Sequence, residues 1–111
     1  MSGRFETFKD KTTGRFHFRL LTDGGDVVLN SEAYTSKHGC TKGIHSVRSN
    51  AANPDNYLKE STGNGSFRFK LLSLNGRILA VSQSYDSQAA YSKAVVSISR
   101  LARAATIDDQ T

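Results

Sequence analysis

His38, Cys40 and His45 lie close together in the sequence and carry side chains that could act as a nucleophile or bind a metal ion. The histidines are seven residues apart, about 10 Å along a helix, so they cannot bind one metal ion together. Cys40 shares an apolar helical stripe with Ile44, whereas a reactive thiolate needs exposure and a positive environment. We therefore predict a buried Cys40, no metal site, and a polar face around the histidines that is solvated or makes weak anion contacts.

Glycine-rich stretches are a second place to look for chemistry, because such loops can hold phosphate groups. Residues 23–26 and 63–65 are glycine-rich, but neither forms a GxxxxGK[ST] or GxGxxG pattern that opens a helix. The chain also lacks a G-x-S-x-G motif and an H-E-x-x-H pair. The sequence thus predicts no catalytic residue and no cofactor, and it favours a protein that is not an enzyme.

Basic residues form a set that could bind a ligand through charge. Several alternate with phenylalanines, so a strand would place them on the sheet face opposite the aromatic rings. If helices cover only the aromatic face, these cations are exposed together and could follow a phosphate backbone. We favour a merely solvated face, because sheet-based RNA binders stack bases on exposed aromatics, for which only Phe5 or Phe8 is available. The candidate polyanion-binding face comprises Arg15, His17, Arg19, Arg68, Lys70 and Arg77.

An internal repeat determines how these residues are arranged. The stretch GRFHFRLLTDGG, starting at Gly14, returns as GSFRFKLLSLNG, starting at Gly65, at an offset of 51 residues. Eleven positions between 14 and 50 are identical to the position 51 residues further on. Two copies are too few for a solenoid of three or more units, and they indicate a pseudo-two-fold molecule.

Each copy is typical of three strands followed by a helix. Phe16, Phe18 and Leu20 alternate with polar residues, as in a strand with one buried face, and the second copy repeats this pattern. Glycine-containing turns follow, and then apolar residues at helical spacing begin. The predicted first strands are 5–9 and 57–60, the return strands are 27–31 and 78–82, and the helix caps are Thr35 or Ser36 and Asp86 or Ser87.

These elements predict an α+β fold in which two tandem β-β-β-α(-β) repeats form one continuous, largely antiparallel sheet with two helices packed on one face. We expect a single domain over 1–111, with repeat one at 4–53 and repeat two at 54–111.

The offset is broken in the first strand, where Phe8 would match Lys59, which indicates a one-residue slip between the copies. Gly39 and Gly43 cost a helix about 1 kcal/mol each relative to alanine, which indicates close packing against the sheet or the other helix.

The pattern G-x-F-x-F-x-L, a Gly or Asn-Gly turn, S-x-x-Y-x-S and a helix carrying G-I-x-S-V at 43–47 resembles the YegP-like family. The resemblance covers nearly the whole chain. It implies β-β-β-α-β units that share one sheet and exchange their C-terminal strands, with 57–60 and 105–108 following the two helices. It implies no established activity and carries no catalytic residue onto this chain.

The composition sets the remaining expectations. The chain has 111 residues with a formal net charge of +5, one cysteine and no run of the ~20 apolar residues that a membrane span needs. The N-terminus lacks the apolar region of a secretory signal, so we expect a cytoplasmic, non-membrane protein, and the covalent duplication favours a monomer. The predicted function is a small binding or structural module without catalysis. The alternative is nucleic-acid binding through the basic sheet face, and an acidic protein surface is the other possible partner.

Overall fold

The computed structural model describes residues 3–111 and shows two α-helices and a seven-stranded sheet. The strands follow the order β4-β5-β6-β3-β2-β1-β7 across the sheet. The helices are α1 (Lys37–Asn50) and α2 (Gln88–Ala104), and a 3-10 turn covers Pro54–Asn56. The strands are β1 (Arg4–Lys9), β2 (Phe16–Leu21), β3 (Val27–Ser31), β4 (Tyr57–Gly63), β5 (Ser66–Leu72), β6 (Ile78–Ser82) and β7 (Thr106–Asp109).

The two repeats join at the centre of the sheet, where β3 and β6 pair antiparallel. Asn30 lies opposite Val81, and these two residues are 51 positions apart, the same offset that relates the two copies. The pseudo-two-fold axis therefore passes through this residue pair. The predicted continuous, largely antiparallel sheet with internal two-fold symmetry is confirmed.

The alternating phenylalanines form the core between the sheet and the helices. Phe18, Leu20, Phe69 and Leu71 are fully buried, because every second residue of β2 and β5 faces the helix layer. A serine hydroxyl accepts the backbone N–H of the central phenylalanine in each repeat, at 2.8 Å in repeat one and 2.9 Å in repeat two. The repeat is thus preserved in its hydrogen bonds as well as in its apolar pattern.

Both helices begin at a serine cap. The Ser36 hydroxyl accepts from the Gly39 N–H at 3.0 Å, and the Ser87 hydroxyl accepts from the Ala90 N–H at 3.1 Å. These bonds satisfy backbone donors that the first helical turn leaves free. Of the two cap candidates in each copy, the structure selects the serine.

The first strands confirm the predicted one-residue slip. Phe5 pairs with Leu20, and Tyr57 pairs with Leu71, so the equivalent residues in β1 and β4 are 52 positions apart rather than 51. The cause lies near the turn, because six residues (10–15) separate Lys9 from its partner Phe16, whereas five (62–66) separate the equivalent pair Ser61 and Phe67.

The last strand returns to the first repeat. β7 follows α2 of repeat two but pairs parallel with β1 of repeat one, with Ile107 beside Phe5. β7 is thus the exchanged C-terminal strand that the family resemblance implied. Residues 57–60, the other strand implied to follow a helix, instead belong to the first strand of repeat two and pair antiparallel with β5. No helix within residues 3–111 is sufficiently long and apolar to cross a bilayer.

Candidate functional site

The sheet face opposite the helices, called the open face below, carries most of the predicted basic set. Cross-strand pairing places Glu6 beside Arg19 and Phe8 beside His17, and Glu60 beside Arg68. This face is less positive than its cations alone suggest, because the Arg19 guanidinium lies 2.8 Å from the Glu6 carboxylate. The Glu60 carboxylate similarly lies 3.0 Å from Arg68 and 3.2 Å from Lys70.

Glu6 is the central acid of the open face in repeat one and is only 5% exposed. Burial alone would raise its pKa, but hydrogen bonds from Arg19 and Arg4 outweigh that effect and hold the pKa of Glu6 below its usual range. The carboxylate therefore stays ionised and neutralises cations that would otherwise attract a polyanion.

Phe8 is the phenylalanine that lies on the open face, whereas Phe5 is fully buried. The Phe8 ring stacks on His17, with ring centroids 5.4 Å apart and planes inclined by 13°. The Arg19 guanidinium lies over the same ring at 5.3 Å from its centroid. Two neighbouring side chains thus lie against the half-buried Phe8 ring, which limits the room for a stacked base.

Arg15 and Arg77 are not part of this paired cluster. Arg15 is exposed in the β1–β2 turn. Arg77 lies in the β5–β6 turn and faces α1 on the helix side of the molecule, so its predicted place beside Arg68 and Lys70 is wrong. The reason is that the strand alternation ends at Leu72, and a turn residue is not bound to either face of the sheet.

Arg77 instead lines a cleft of about 410 Å³ between α1 and the β5–β6 turn, which is within the size range of small-ligand sites. Lys42 lies on its α1 side, and neither Lys42 nor Arg77 has a carboxylate within ion-pair distance in the described part of the chain. Glu32 is the acid in the lining. The full lining is Glu32, Ala33, Tyr34, Gly39, Lys42, Gly43, Ser46, Ser73, Asn75, Arg77, Ile78 and Leu79.

Tyr34 forms the floor of the cleft because Gly43 leaves room for its ring. A Cβ atom on Gly43 would lie 2.3 Å from the Tyr34 hydroxyl oxygen and 3.1 Å from Phe18 Cε2. The Tyr34 ring stacks on Phe18 with centroids 6.0 Å apart. Burial raises the pKa of the Tyr34 hydroxyl, which stays protonated at neutral pH and can donate a hydrogen bond into the cleft. The close packing predicted for the glycine pair is confirmed for Gly43, whereas a Cβ atom on Gly39 would lie no closer than 3.2 Å to its nearest neighbour, the Ser36 hydroxyl.

This cleft was not predicted from the sequence, although the sequence contains a signal for it. Arg77 is 51 positions after Asp26, so the equivalent turns of the two repeats carry opposite charges. Lys42 and Lys93 are equivalent and identical, whereas Gly43 corresponds to Ala94. A comparison of the copies for their differences, rather than their identities, would have indicated that the two sides of the molecule are chemically distinct.

The helix layer has a uniform sign of charge, since neither α1 nor α2 contains an aspartate or glutamate. Two of its cations are used within the fold: Arg48 donates to the carbonyl oxygens of Ala102 and Ala105, and Lys37 pairs with Asp109. The helical cations are Lys37, Lys42, Arg48, Lys93, Arg100 and Arg103. The remaining four give the layer its positive surface.

Cys40 is buried in the core, as predicted, and burial raises the pKa of its thiol to about 11. It is therefore protonated at neutral pH and is a poor nucleophile. His38 and His45 are exposed on α1. Among residues 3–111, no group of three His, Cys, Asp or Glu side chains lies close enough to hold a metal ion.

Fold and surface together define a tandem-repeat α+β protein with a shared sheet, a basic helix layer and a cleft that Lys42 and Arg77 line. The model of the family described as "Domain of unknown function (DUF1508)" matches the chain twice, over residues 12–57 and 63–109. The chain belongs to this family, and the YegP-like resemblance is confirmed.

Known relatives match over all or most of the chain. The UPF0339 protein YegP of Escherichia coli K12 is 36% identical over 111 residues, covering all of both chains. A UPF0339 protein from the 5′ region of the ptx operon of Stutzerimonas stutzeri is 40% identical over 98 residues, covering 88% of this chain and 87% of the relative. Both relatives are bacterial proteins, and their names state no activity.

Two solution NMR structures share the fold. That of yegP from E. coli superposes with a TM-score of 0.90 at 36% identity, covering 100% of this chain and 95% of the other. That of a UPF0339 protein from Shewanella oneidensis gives 0.89 at 37% identity, covering 98% and 92%. The fold is therefore common to the family, and function has to be inferred from the surface.

Proposed function

We propose that this chain is a non-catalytic binding module that recognises an acidic protein surface and takes a carboxylate of that partner into the cleft between α1 and the β5–β6 turn. The observation that carries the proposal is the pair Lys42 and Arg77, two cations that line one 410 Å³ space and form no ion pair with any acid among residues 3–111. Two cations and the single Glu32 carboxylate leave the lining with a net charge of +1. Arg77 can bind a carboxylate through two parallel hydrogen bonds, and the Tyr34 hydroxyl adds a donor.

The charge distribution supports the helix side over the open face. The net charge of +5 attracts acidic partners at long range, and the helices contribute cations without any acid. On the open face, Glu6 and Glu60 each occupy two of the basic side chains. A partner at the cleft therefore meets unpaired charge, whereas a partner at the open face must compete with existing ion pairs.

The test compares two double variants that remove the same charge. Lys42→Gln with Arg77→Gln removes both cations of the cleft lining, and Arg19→Gln with Arg68→Gln removes one cation from each half of the open face. Binding of fluorescent poly-L-glutamate is measured by anisotropy in 50 mM and 300 mM salt. We expect the cleft variant to lose at least tenfold in affinity and the open-face variant to stay within about threefold. Equal losses in both variants would show diffuse attraction and overturn the cleft as the site.

Nucleic-acid binding through the open face is the second candidate. The observation that favours it is Phe8, an aromatic side chain on this face with His17 and Arg19 around it. Mixed-sequence single-stranded RNA replaces poly-L-glutamate in the same assay. RNA affinity that falls only in the open-face variant supports this candidate, and RNA affinity that survives in that variant removes it.

Cytoplasmic location and a monomeric state belong to the same proposal. They are supported by the single cysteine, which is buried and unpaired, and by the covalent joining of two repeats into one sheet. Sedimentation of the purified chain at 10 and 200 µM tests the second point. A molar mass near 12 kDa at both concentrations is the expected result.

A further inference from the structure

The two outer edges of the paired repeats differ. β1 and β4 are the first strands of their repeats, and each lies at the far side of its own three-stranded unit. β7 pairs with the outer edge of β1, whereas no strand in residues 3–111 pairs with the outer edge of β4. The chain leads from α1 through the 3-10 turn directly into β4, so repeat one has no counterpart of β7. The pseudo-symmetric position of β7 is therefore open.

The pairing of β7 with the outer edge of β1 shows which groups such an edge binds. Backbone N–H groups of β7 and of the residue after it donate to the carbonyl oxygens of Gly3 at 3.2 Å and Thr7 at 3.1 Å. The Asp109 carboxylate accepts from the Thr7 hydroxyl at 3.1 Å and lies 2.5 Å from the Lys37 ammonium group. Binding thus combines strand pairing with one acidic side chain, which lies two residues after the apolar Ile107.

Beyond the N–H group of Tyr57, the open position offers the same outward-facing backbone groups. Tyr57 is the equivalent of Phe5, since each pairs with the corresponding leucine of its neighbouring strand. The Tyr57 N–H donates to the Pro54 carbonyl oxygen, so the backbone of Tyr57 faces away from β5. Because this orientation alternates along an antiparallel strand, Lys59 and Ser61 also direct their N–H and C=O groups outward.

The side chains of the open position are positively charged. Lys59 is the equivalent of Thr7 by the same 52-residue offset, and it is exposed. Its ammonium group lies 4.3 Å from the Phe67 ring centroid and contacts the Gln88 side-chain oxygen, and no carboxylate within residues 3–111 forms an ion pair with it. Gln88 in turn is the equivalent of Lys37. An acidic side chain at the position that corresponds to Asp109 would therefore meet Lys59.

We propose that the outer edge of β4 binds an extended segment of a partner protein, added parallel to β4, that carries an apolar residue followed two residues later by an aspartate or glutamate. This is strand addition, in which main-chain hydrogen bonds provide affinity and alternate side chains provide specificity. The proposal concerns a different surface from the cleft and stands whether or not the cleft binds a ligand.

A second copy of this chain fits the edge less well. Antiparallel pairing of two β4 strands would bring the two Lys59 ammonium groups to the same short interface, and lysine on an edge strand opposes such pairing. Transfer of β7 from another copy would fill one edge by emptying another, and it would break the Lys37–Asp109 ion pair. An acidic segment of a different protein fills the edge at neither cost.

The probe for this proposal is a peptide with the sequence of residues 105–111, ATIDDQT, which has the required pattern. Binding to the full chain is followed by ¹H–¹⁵N NMR titration up to 1 mM peptide. We expect the largest shifts at the amides of Lys59 and Ser61. Shifts at β1 and β7 in place of β4 would show strand exchange and overturn the proposal, and so would the absence of shifts at 1 mM.

Three variants and one altered peptide separate the contributions. Ser61→Pro removes an outward N–H without removing a bond to β5, and Lys59→Glu reverses the charge. Lys11→Glu makes the same charge change in the distant β1–β2 turn and serves as the matched control. We expect at least a tenfold loss for both edge variants, less than a twofold change for the control, and thermal melts that show all three folded. Equal affinity for a peptide with both aspartates replaced by asparagine would overturn the acidic requirement.

Discussion

Replacement of Gly43 by alanine tests the packing that forms the floor of the cleft. The added Cβ would lie 2.3 Å from the Tyr34 hydroxyl oxygen and 3.1 Å from Phe18 Cε2, so the tyrosine ring has to move and the buried phenylalanine has to shift slightly. Overpacking of this kind costs about 2 kcal/mol, and the helix regains about 1 kcal/mol because alanine replaces glycine. We expect a net loss of about 1 kcal/mol, which lowers Tm by about 4 °C in a chain of this size.

The assay is thermal and urea denaturation followed by circular dichroism, with two controls. Gly39→Ala is the matched variant, since its Cβ would lie 3.2 Å from the Ser36 hydroxyl and 3.6 Å from the Tyr34 ring, and it should be neutral or stabilising. In a Tyr34→Ala background, Gly43→Ala should lose most of its cost because the ring is gone. A Gly43→Ala variant as stable as the parent, with the same effect in both backgrounds, would refute the proposed contact.

Two further predictions concern buried groups. Glu6→Gln should lower the free energy of unfolding at pH 7 by about 1–2 kcal/mol through loss of charged hydrogen bonds. Because the pKa of Glu6 is lowered in the folded state, the stability that its carboxylate contributes is present above the ordinary carboxylate pKa and is lost as the pH falls below that value. The urea midpoint of the variant should therefore drop less between pH 7 and pH 3 than that of the parent. Cys40, buried and with a pKa raised to about 11, should resist iodoacetamide at pH 8 in the folded chain and react in 8 M urea, as measured by mass spectrometry, and rapid alkylation of the folded chain would contradict its burial.

The fold could be predicted from the sequence because the same pattern of strands and helix occurs in both repeats. The return strands at 27–31 and 78–82 coincide with β3 and β6, since a glycine turn and the helix cap fix their two ends. The slip in the first strand was visible because Phe8 would otherwise match Lys59, and a pleated strand cannot shift by one residue without exchanging its faces. The exchanged position of β7 came from the family resemblance, because four residues carry too little pattern of their own.

The ion pairs of the open face could not be predicted in the same way. Alternation places Arg19 on that face but does not identify the residue beside it, which depends on the pairing register of β1 and β2. That register brings Glu6 opposite Arg19 and converts an expected basic stripe into paired charge. The side of the molecule on which Arg77 lies could likewise not be predicted from the strand alternation, because turn residues follow no such period.

The differences between the copies point to function more directly than their identities do. Residues of the shared core, such as Phe18 and Phe69, are the same in both copies because both pack in the same way, and a ligand cannot reach them. The copies diverge at the cleft, where Arg77 corresponds to Asp26, and at the outer edges, where β1 is covered and β4 is open. A duplicated fold offers two equivalent surfaces of each kind, so a site that binds a partner at only one copy has to lie where the copies differ. The cleft and the β4 edge meet that requirement, whereas the open face carries a similar pattern of paired charge in both halves.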